Sequence, residues 1–237
     1  MLDNANPSLE RARTPSDIRQ SFKANVYYEL PFGAGKKWGG NSLVNHVVGN
    51  WSVSGIWNYQ SGNPYSILSG YGTLNRGARS TATNTASVAG ATMDQLRPLT
   101  SGIYKTIDNI YFRSPTLLNS DGRGTAQTGA NAFAGQVFYN PDAGTVGNLQ
   151  RRMFSGPWNQ ALDMSVIKAV KIGERVKVDL HFDFFNALNH PTFYMPPSTA
   201  GDNGASGPYT INNTTFGQLT SLDASARQIQ IGARFSF

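Results

Sequence analysis

The chain has no cysteine, so it can build neither a disulfide framework nor a thiolate metal site. Only 14% of its residues are charged, too few for a helical, salt-bridge-laced surface. It has no run of about 18 apolar residues, which excludes a transmembrane helix. Its opening residues, MLDNANPSLERARTPSD, contain no apolar h-region, so no signal peptide is expected. Lysine and arginine exceed the acids by 20 to 14, for a net charge of +6. These basic residues are scattered, however, and the nearest thing to a cluster is Arg151 with Arg152. Without a recognition motif, the charge carries no nucleic-acid partner.

What is present points to strands and turns. Glycine numbers 25 and aromatics reach 11%, and five segments alternate apolar and polar residues with a period of two. The chain closes on RQIQIGARFSF, with Ile229, Ile231, Ala233, Phe235 and Phe237 on one face and Gln228, Gln230, Arg234 and Ser236 on the other. An unconstrained tail has no reason to keep that period. In ERVKVDLHFDFF, Val176, Val178, Leu180, Phe182 and Phe184 oppose Arg175, Lys177, Asp179, His181 and Asp183. In NWSVSGIWNYQ, Trp51, Val53, Trp57 and Tyr59 share a face, and RQSFKANVYYEL and ALDMSVIKAV follow the same rule. The fold class is all-β.

The connections alternate in length. KIGE forms a tight hairpin, whereas long tracts at about 62–158 and 189–225 carry many small, Pro, Gly and Asn residues. A short helix is expected near Ser42–Val48. Compact soluble domains rarely hold such long irregular loops, while outer-membrane barrels put short turns on the periplasmic side and long loops outside. The expected architecture is therefore an antiparallel transmembrane β-barrel fragment of five to six strands, with residues 1–237 forming one barrel portion and the two tracts its extracellular loops. A strand of about ten residues, rising about 3.3 Å each and tilted about 45°, spans about 23 Å and fits an apolar band of about 25 Å. Trp51, Val53, Trp57, Tyr59 and the stripe Val176, Val178, Leu180, Phe182 and Phe184 then face lipid. Arg175, Lys177, Asp179, His181, Asp183 and Arg234 face the lumen. Lys168 interrupts an apolar face close to KIGE, where it is expected to snorkel to the periplasmic rim.

Several blocks, in this order, resemble the C-terminal part of TonB-dependent outer-membrane receptors: QSGNPYS, GTVGNLQRRMFSGPWNQALDMSVIK, FDFFNALNHPTF, FGQLTS and a terminal strand ending in Phe. More narrowly, they are similar to the group carrying an N-terminal carboxypeptidase-regulatory-like domain, and ERARTPSDIRQSFKANVYYELPFG resembles that group's lead into a late barrel strand. About Tyr71 to Asn131 lies outside the resemblance. The resemblance implies a 22-strand barrel holding a plug domain, energised uptake of a bulky nutrient, TonB as partner in the intact receptor, outer-membrane lipid around it, and no cofactor. The plug is expected to be absent here, leaving the last strands of the barrel. The face of Ile229, Ile231, Ala233, Phe235 and Phe237 is then a signal for the barrel-assembly machinery as well as a closing strand. Two open edges in hydrocarbon cost tens of kcal/mol, at several kcal/mol for each unpaired backbone group, so flanking strands are required.

No enzyme is expected, because no nucleophile, base and orienting group converge. Asp179, His181 and Asp183 could in type ligate a metal, but residues two apart on a strand lie about 6.6 Å apart, and a lumen salt-bridge network is the reading adopted. GYGTLNRG and GRGTAQTG lack the P-loop pattern and are expected to be flexible loop. Phe184, Phe185, Asn186 and Asn189 are expected to fix a strand's exit into its loop. Tyr71, Tyr104, Tyr111, Phe112 and Tyr139 are candidate substrate contacts in the loops. Two rivals make opposite structural demands. An autonomous small porin or adhesin barrel needs a closed ring of about eight strands. A soluble β-sandwich carbohydrate-binding module needs Phe182, Phe235 and Trp57 buried between two sheets.

Overall fold

The period-two segments pair with their sequence neighbours to give one antiparallel sheet in the order β1 (Ser21–Glu29), β2 (Trp51–Gln60), β3 (Asn159–Ile172), β4 (Val176–Phe185) and β5 (Gln228–Ser236). This is a computed structural model, and it describes residues 7–33, 35–39, 47–74, 84–173, 175–193, 195, 208–223 and 226–237. The chain divides into two compact units. One comprises Ser21–Gln60, Asn159–Thr192 and Leu222–Phe237 and holds the sheet; the other comprises Met1–Gln20, Ser61–Trp158 and Phe193–Ser221.

Register carries the alternation of each strand across the whole sheet. Tyr28, Val53, Val166, Phe182 and Ile231 stand in one row, and Val26, Gly55, Met164, Phe184 and Ile229 in the next. On the opposite face, Tyr27, Ser54, Ser165, Asp183 and Gln230 form a polar row. A slip of one residue at any pairing would invert a strand's faces, so the matched stripes fix the register. Aromatic contacts reinforce it: Trp51 stacks on Phe182 at 6.3 Å, and Phe22 meets Trp57 edge-on at 5.5 Å. The β3–β4 turn places Gly173 at φ 67°, a left-handed position that a side chain resists.

The sheet overturns the sandwich demand, because among the described residues no second sheet covers its apolar face: Phe235 is 60% exposed and Phe237 97%. Nor is it a ring. Among the described residues β1 and β5 pair on one side only. Of the expected short helix, Val47 and Val48 are helical, and positions 42–46 lie outside the described residues.

The long tracts are not the irregular loops their composition suggests. Tyr65, Ile67, Phe112, Phe138, Phe154, Tyr209, Ile211 and Phe216 join in one buried core. Tyr65 sits at its centre, 4.8 Å from the Phe112 ring and 5.6 Å from Tyr209. Two-residue ladders hold the segments together: Pro64–Tyr65 on Phe154–Ser155, Ser87–Val88 on Phe138–Tyr139, and Tyr104–Lys105 on Ile110–Tyr111. A short helix, α1 (Met93–Leu99), starts on a capping box in which Thr92 and Gln95 exchange hydrogen bonds, and it buries Leu96. The stability of this unit comes from aromatic burial, at about 1.5–3 kcal/mol per large side chain, rather than from extended pairing.

Candidate functional site

In the sheet unit the polar face holds an open cleft of about 510 Å³ whose lining includes Glu29, Lys36, Lys171, Lys177, Asp179 and Arg234. The expected network of ion pairs is sparse there. Lys177 pairs with Asp179 at 3.0 Å and Lys36 with Glu29 at 3.1 Å, while Asp183 accepts a hydrogen bond from Ser165 at 2.5 Å. Arg175, His181 and Arg234 make no ion pair among the described residues. Asp179, His181 and Asp183 follow one another along β4, and no metal-holding cluster of His, Asp or Glu occurs among the described residues.

The opposite face carries Val176, Val178, Leu180, Phe182 and Phe184 together with Trp51, Val53, Trp57 and Tyr59. Gly55, with no side chain at the middle of this face, leaves an apolar trough of about 630 Å³ beside Val26, Trp57 and Met164. Ile229, Ile231, Ala233 and Phe235 extend the face onto β5, and Phe237 follows that strand. Lys168 departs from expectation. It is buried, with Nζ donating to the Gly49 carbonyl and lying 5.5 Å from the Trp51 ring. A backbone carbonyl and a π-face replace the water that snorkelling would have reached.

At the exit of β4, Asn186 and Asn189 both take φ 49°. The Asn186 side-chain oxygen accepts from the His190 N–H at 3.0 Å, its own N–H donates to Asp163 at 2.9 Å, and Asn189 accepts from the Arg227 N–H at 3.1 Å. Asparagine suits this geometry because it tolerates the left-handed region and caps its own turn.

Three of the sequence blocks that looked distinctive, QSGNPYS, GTVGN to SGPWN and FGQLTS, supply joints of the second unit. The Gly156 N–H of SGPWN donates to the Asn63 carbonyl of QSGNPYS at 2.9 Å. A Cβ on Gly62 would lie 2.3 Å from the Pro157 oxygen, so the two blocks touch backbone to backbone. In GTVGN, the Gly147 N–H donates to the Asn84 side chain and a Cβ there would meet the Thr85 oxygen at 1.9 Å. In FGQL, Phe216 enters the core and Gly217 makes room for the Arg113 side chain. The basic residues near the chain start join this scaffold: Arg13 pairs with Asp17 at 2.6 Å and donates to Ser155 at 2.9 Å.

The five loop aromatics separate. Phe112 and Tyr111 are buried, correcting their assignment as substrate contacts: Phe112 belongs to the core and has no face to offer. Tyr104 donates to the Pro98 carbonyl and Tyr139 to the Gln136 carbonyl. Tyr71 is exposed, its hydroxyl 2.7 Å from the Thr128 hydroxyl. GRGTAQTG is not flexible loop either, because Gly122 and Gly124 press against Thr214 and Phe216. The described part of GYGTLNRG, residues 70–74, is held through Asn84, which donates to the Tyr71 carbonyl and the Thr73 hydroxyl; positions 75–77 lie outside the described residues.

Tyr71 also borders an open cavity of about 360 Å³ that the sequence did not announce, lined by Gly70, Arg123, Thr210, Asn212, Asn213 and Thr214. Arg123 is committed on two sides, to the Asn212 carbonyl at 2.9 Å and to Asp121 at 2.5 Å. Partial burial raises the Asp121 carboxyl, but hydrogen bonds from Arg123 and Gln127 outweigh it and hold the group below its usual range. Asn212 is fixed by a reciprocal amide pair with Asn140. Deeper in the unit, Arg113 is fully buried against the Phe216 ring at 3.4 Å, with none of its three guanidinium nitrogens hydrogen-bonded among the described residues. Burial pushes its pKa down to about 9, and the neighbouring Tyr65 and Tyr111 offset this only in part.

No curated protein and no solved structure matches the chain. The family model of the outer membrane beta barrel domain matches residues 1–230, and with five antiparallel strands that are greasy on one face and polar on the other, the chain belongs to that family and to the outer membrane.

Proposed function

We propose that this chain forms the C-terminal wall and external loops of a TonB-dependent receptor for energised uptake of a bulky nutrient, and that it catalyses no reaction. The observation that carries this reading is the unclosed sheet. β1 and β5 each present one unpaired edge among the described residues, and an edge in hydrocarbon must be satisfied by further strands, as it is in a barrel much larger than five strands. What favours the receptor among large barrels is the order of the sequence blocks QSGNPYS, GTVGN, SGPWN, FFNALNHPTF and FGQLTS, which resembles that of TonB-dependent receptors. In this reading the apolar face meets lipid and the polar face lines the lumen. The Ile229 to Phe237 stripe is what the assembly machinery grips by strand pairing, and TonB acts on the intact receptor.

The test uses native outer membranes. An antibody raised against residues 208–223 is used to recover cross-linked partners of the polypeptide carrying this sequence, with and without collapse of the proton gradient. Recovery of TonB, altered by the collapse, is the expected result. Recovery of no TonB, together with a steady open-pore conductance in planar bilayers, would instead identify a passive porin.

A further inference from the structure

We propose that the cavity between Tyr71 and Thr210 binds a neutral, polyhydroxylated ligand of the saccharide class. The inference rests on the reading above that the loops meet the nutrient, and it adds what kind of molecule they meet. Three features of the cavity converge.

The first is an orphan. Thr210 is only 2% exposed and lines the cavity, yet among the described residues its hydroxyl has no hydrogen-bond partner. A buried hydroxyl left unpaired costs free energy comparable to a lost hydrogen bond, so a ligand hydroxyl filling that vacancy gains what the free protein forgoes. Nearby, the Asn213 side-chain oxygen accepts hydrogen bonds from Thr215, and Thr214 is exposed.

The second is charge. The charged side chain at the cavity, Arg123, is already matched by Asp121. An anionic ligand would have to compete with that carboxylate and a cationic one would face the guanidinium, whereas a neutral ligand disturbs neither. The Nε of Arg123 donates to the Asn212 carbonyl and its Nη1 to Asp121, which fixes the guanidinium beside the cavity.

The third is shape and chemistry. At about 360 Å³ the space lies at the small end of ligand pockets, and its lining sets the amides of Asn212 and Asn213 and the hydroxyls of Thr210 and Thr214 beside the exposed Tyr71 ring. An aromatic face beside a row of amides and hydroxyls suits a molecule with an apolar C–H side and a hydroxyl rim, which describes a pyranose ring. Rigidity assists, because Asn212 is locked to Asn140 and Asn84 anchors the backbone of Tyr71, so little ordering remains to be done on binding.

The experiment titrates the full chain in detergent with maltose, cellobiose, lactose and sucrose by calorimetry, with citrate and trialanine as charged and peptidic controls. At least one disaccharide is expected to bind at one site per chain. Thr210→Val, which keeps the volume and removes a hydroxyl that bonds nothing in the free protein, should weaken that binding about tenfold while raising the thermal unfolding midpoint rather than lowering it. Tyr71→Ala should weaken it comparably, and Tyr71→Phe should preserve it. The proposal is overturned if no disaccharide binds, if Thr210→Val and Tyr71→Ala bind as well as the parent, or if citrate or trialanine binds in preference. Because this binding needs no energy source, its failure is separable from a failure to recover TonB.

Discussion

At the scale of single residues, the second unit sets an unpaired arginine against a crowded glycine. The Arg113 guanidinium makes no hydrogen bond among the described residues, and the Phe216 π-face is its partial compensation. A π-face offsets only part of the cost of burying a charge, and replacing even fully paired buried charges by hydrophobic side chains of similar volume is often stabilising, by about 1–4 kcal/mol. Arg113→Met is therefore expected to raise the urea midpoint. The advantage should shrink at alkaline pH. With the folded pKa lowered to about 9, the unfolded state holds the proton more tightly between there and the arginine's ordinary value, so parent stability rises with pH in that window. Unfolding both proteins at pH 7 and pH 10 checks the sign. Gly147 is the opposite case: its Cβ would sit 1.9 Å from the Thr85 carbonyl oxygen, a backbone atom that cannot swing aside. Gly147→Ala should cost about 1–3 kcal/mol or more, read as a lower midpoint. Neither residue was legible in the sequence. Arg113 in YFRSP looks like any loop arginine, and the glycine of GTVGN could be seen as a recurring block without revealing what it presses on.

At the scale of elements, legibility followed length. The strands of nine to fourteen residues advertise themselves because a period of two repeated four or five times is hard to produce otherwise. The ladders of the second unit are two residues long, too short for any period, so Tyr111 and Phe112 read as loop aromatics rather than as core. The strand reading makes a paired prediction on β5. Gln230 and Ile231 are neighbours on opposite faces, beside Asp183 and Phe182 respectively. A lysine at Ile231 would sit on the apolar face and cost about 2–4 kcal/mol in a bilayer near the midplane, whereas a lysine at Gln230 gains a carboxylate neighbour. Folding titrations in lipid vesicles should show Ile231→Lys strongly destabilised and Gln230→Lys within about 0.5 kcal/mol of the parent. Equal effects would mean that the two faces do not see lipid and water as proposed.

For the whole molecule, the decisive feature is the pair of sheet edges. β2, β3 and β4 have partners on both sides, so their backbone groups are satisfied wherever the chain resides, while β1 and β5 have outward-pointing groups that need water or another strand. Hydrogen exchange can read the difference amide by amide. In the 237-residue chain held in detergent, the central strands should exchange slowly and the outward amides of β1 and β5 quickly. In native outer membranes the same edge amides should become as protected as those of β3, because flanking strands of a larger barrel cover them. A chain that closes on itself behaves differently: its edge amides are protected already in detergent, with no gain on going to the membrane. Edge protection that appears only in the membrane therefore supports the large-barrel reading, and edge protection present from the start assigns the molecule to the small autonomous barrels instead.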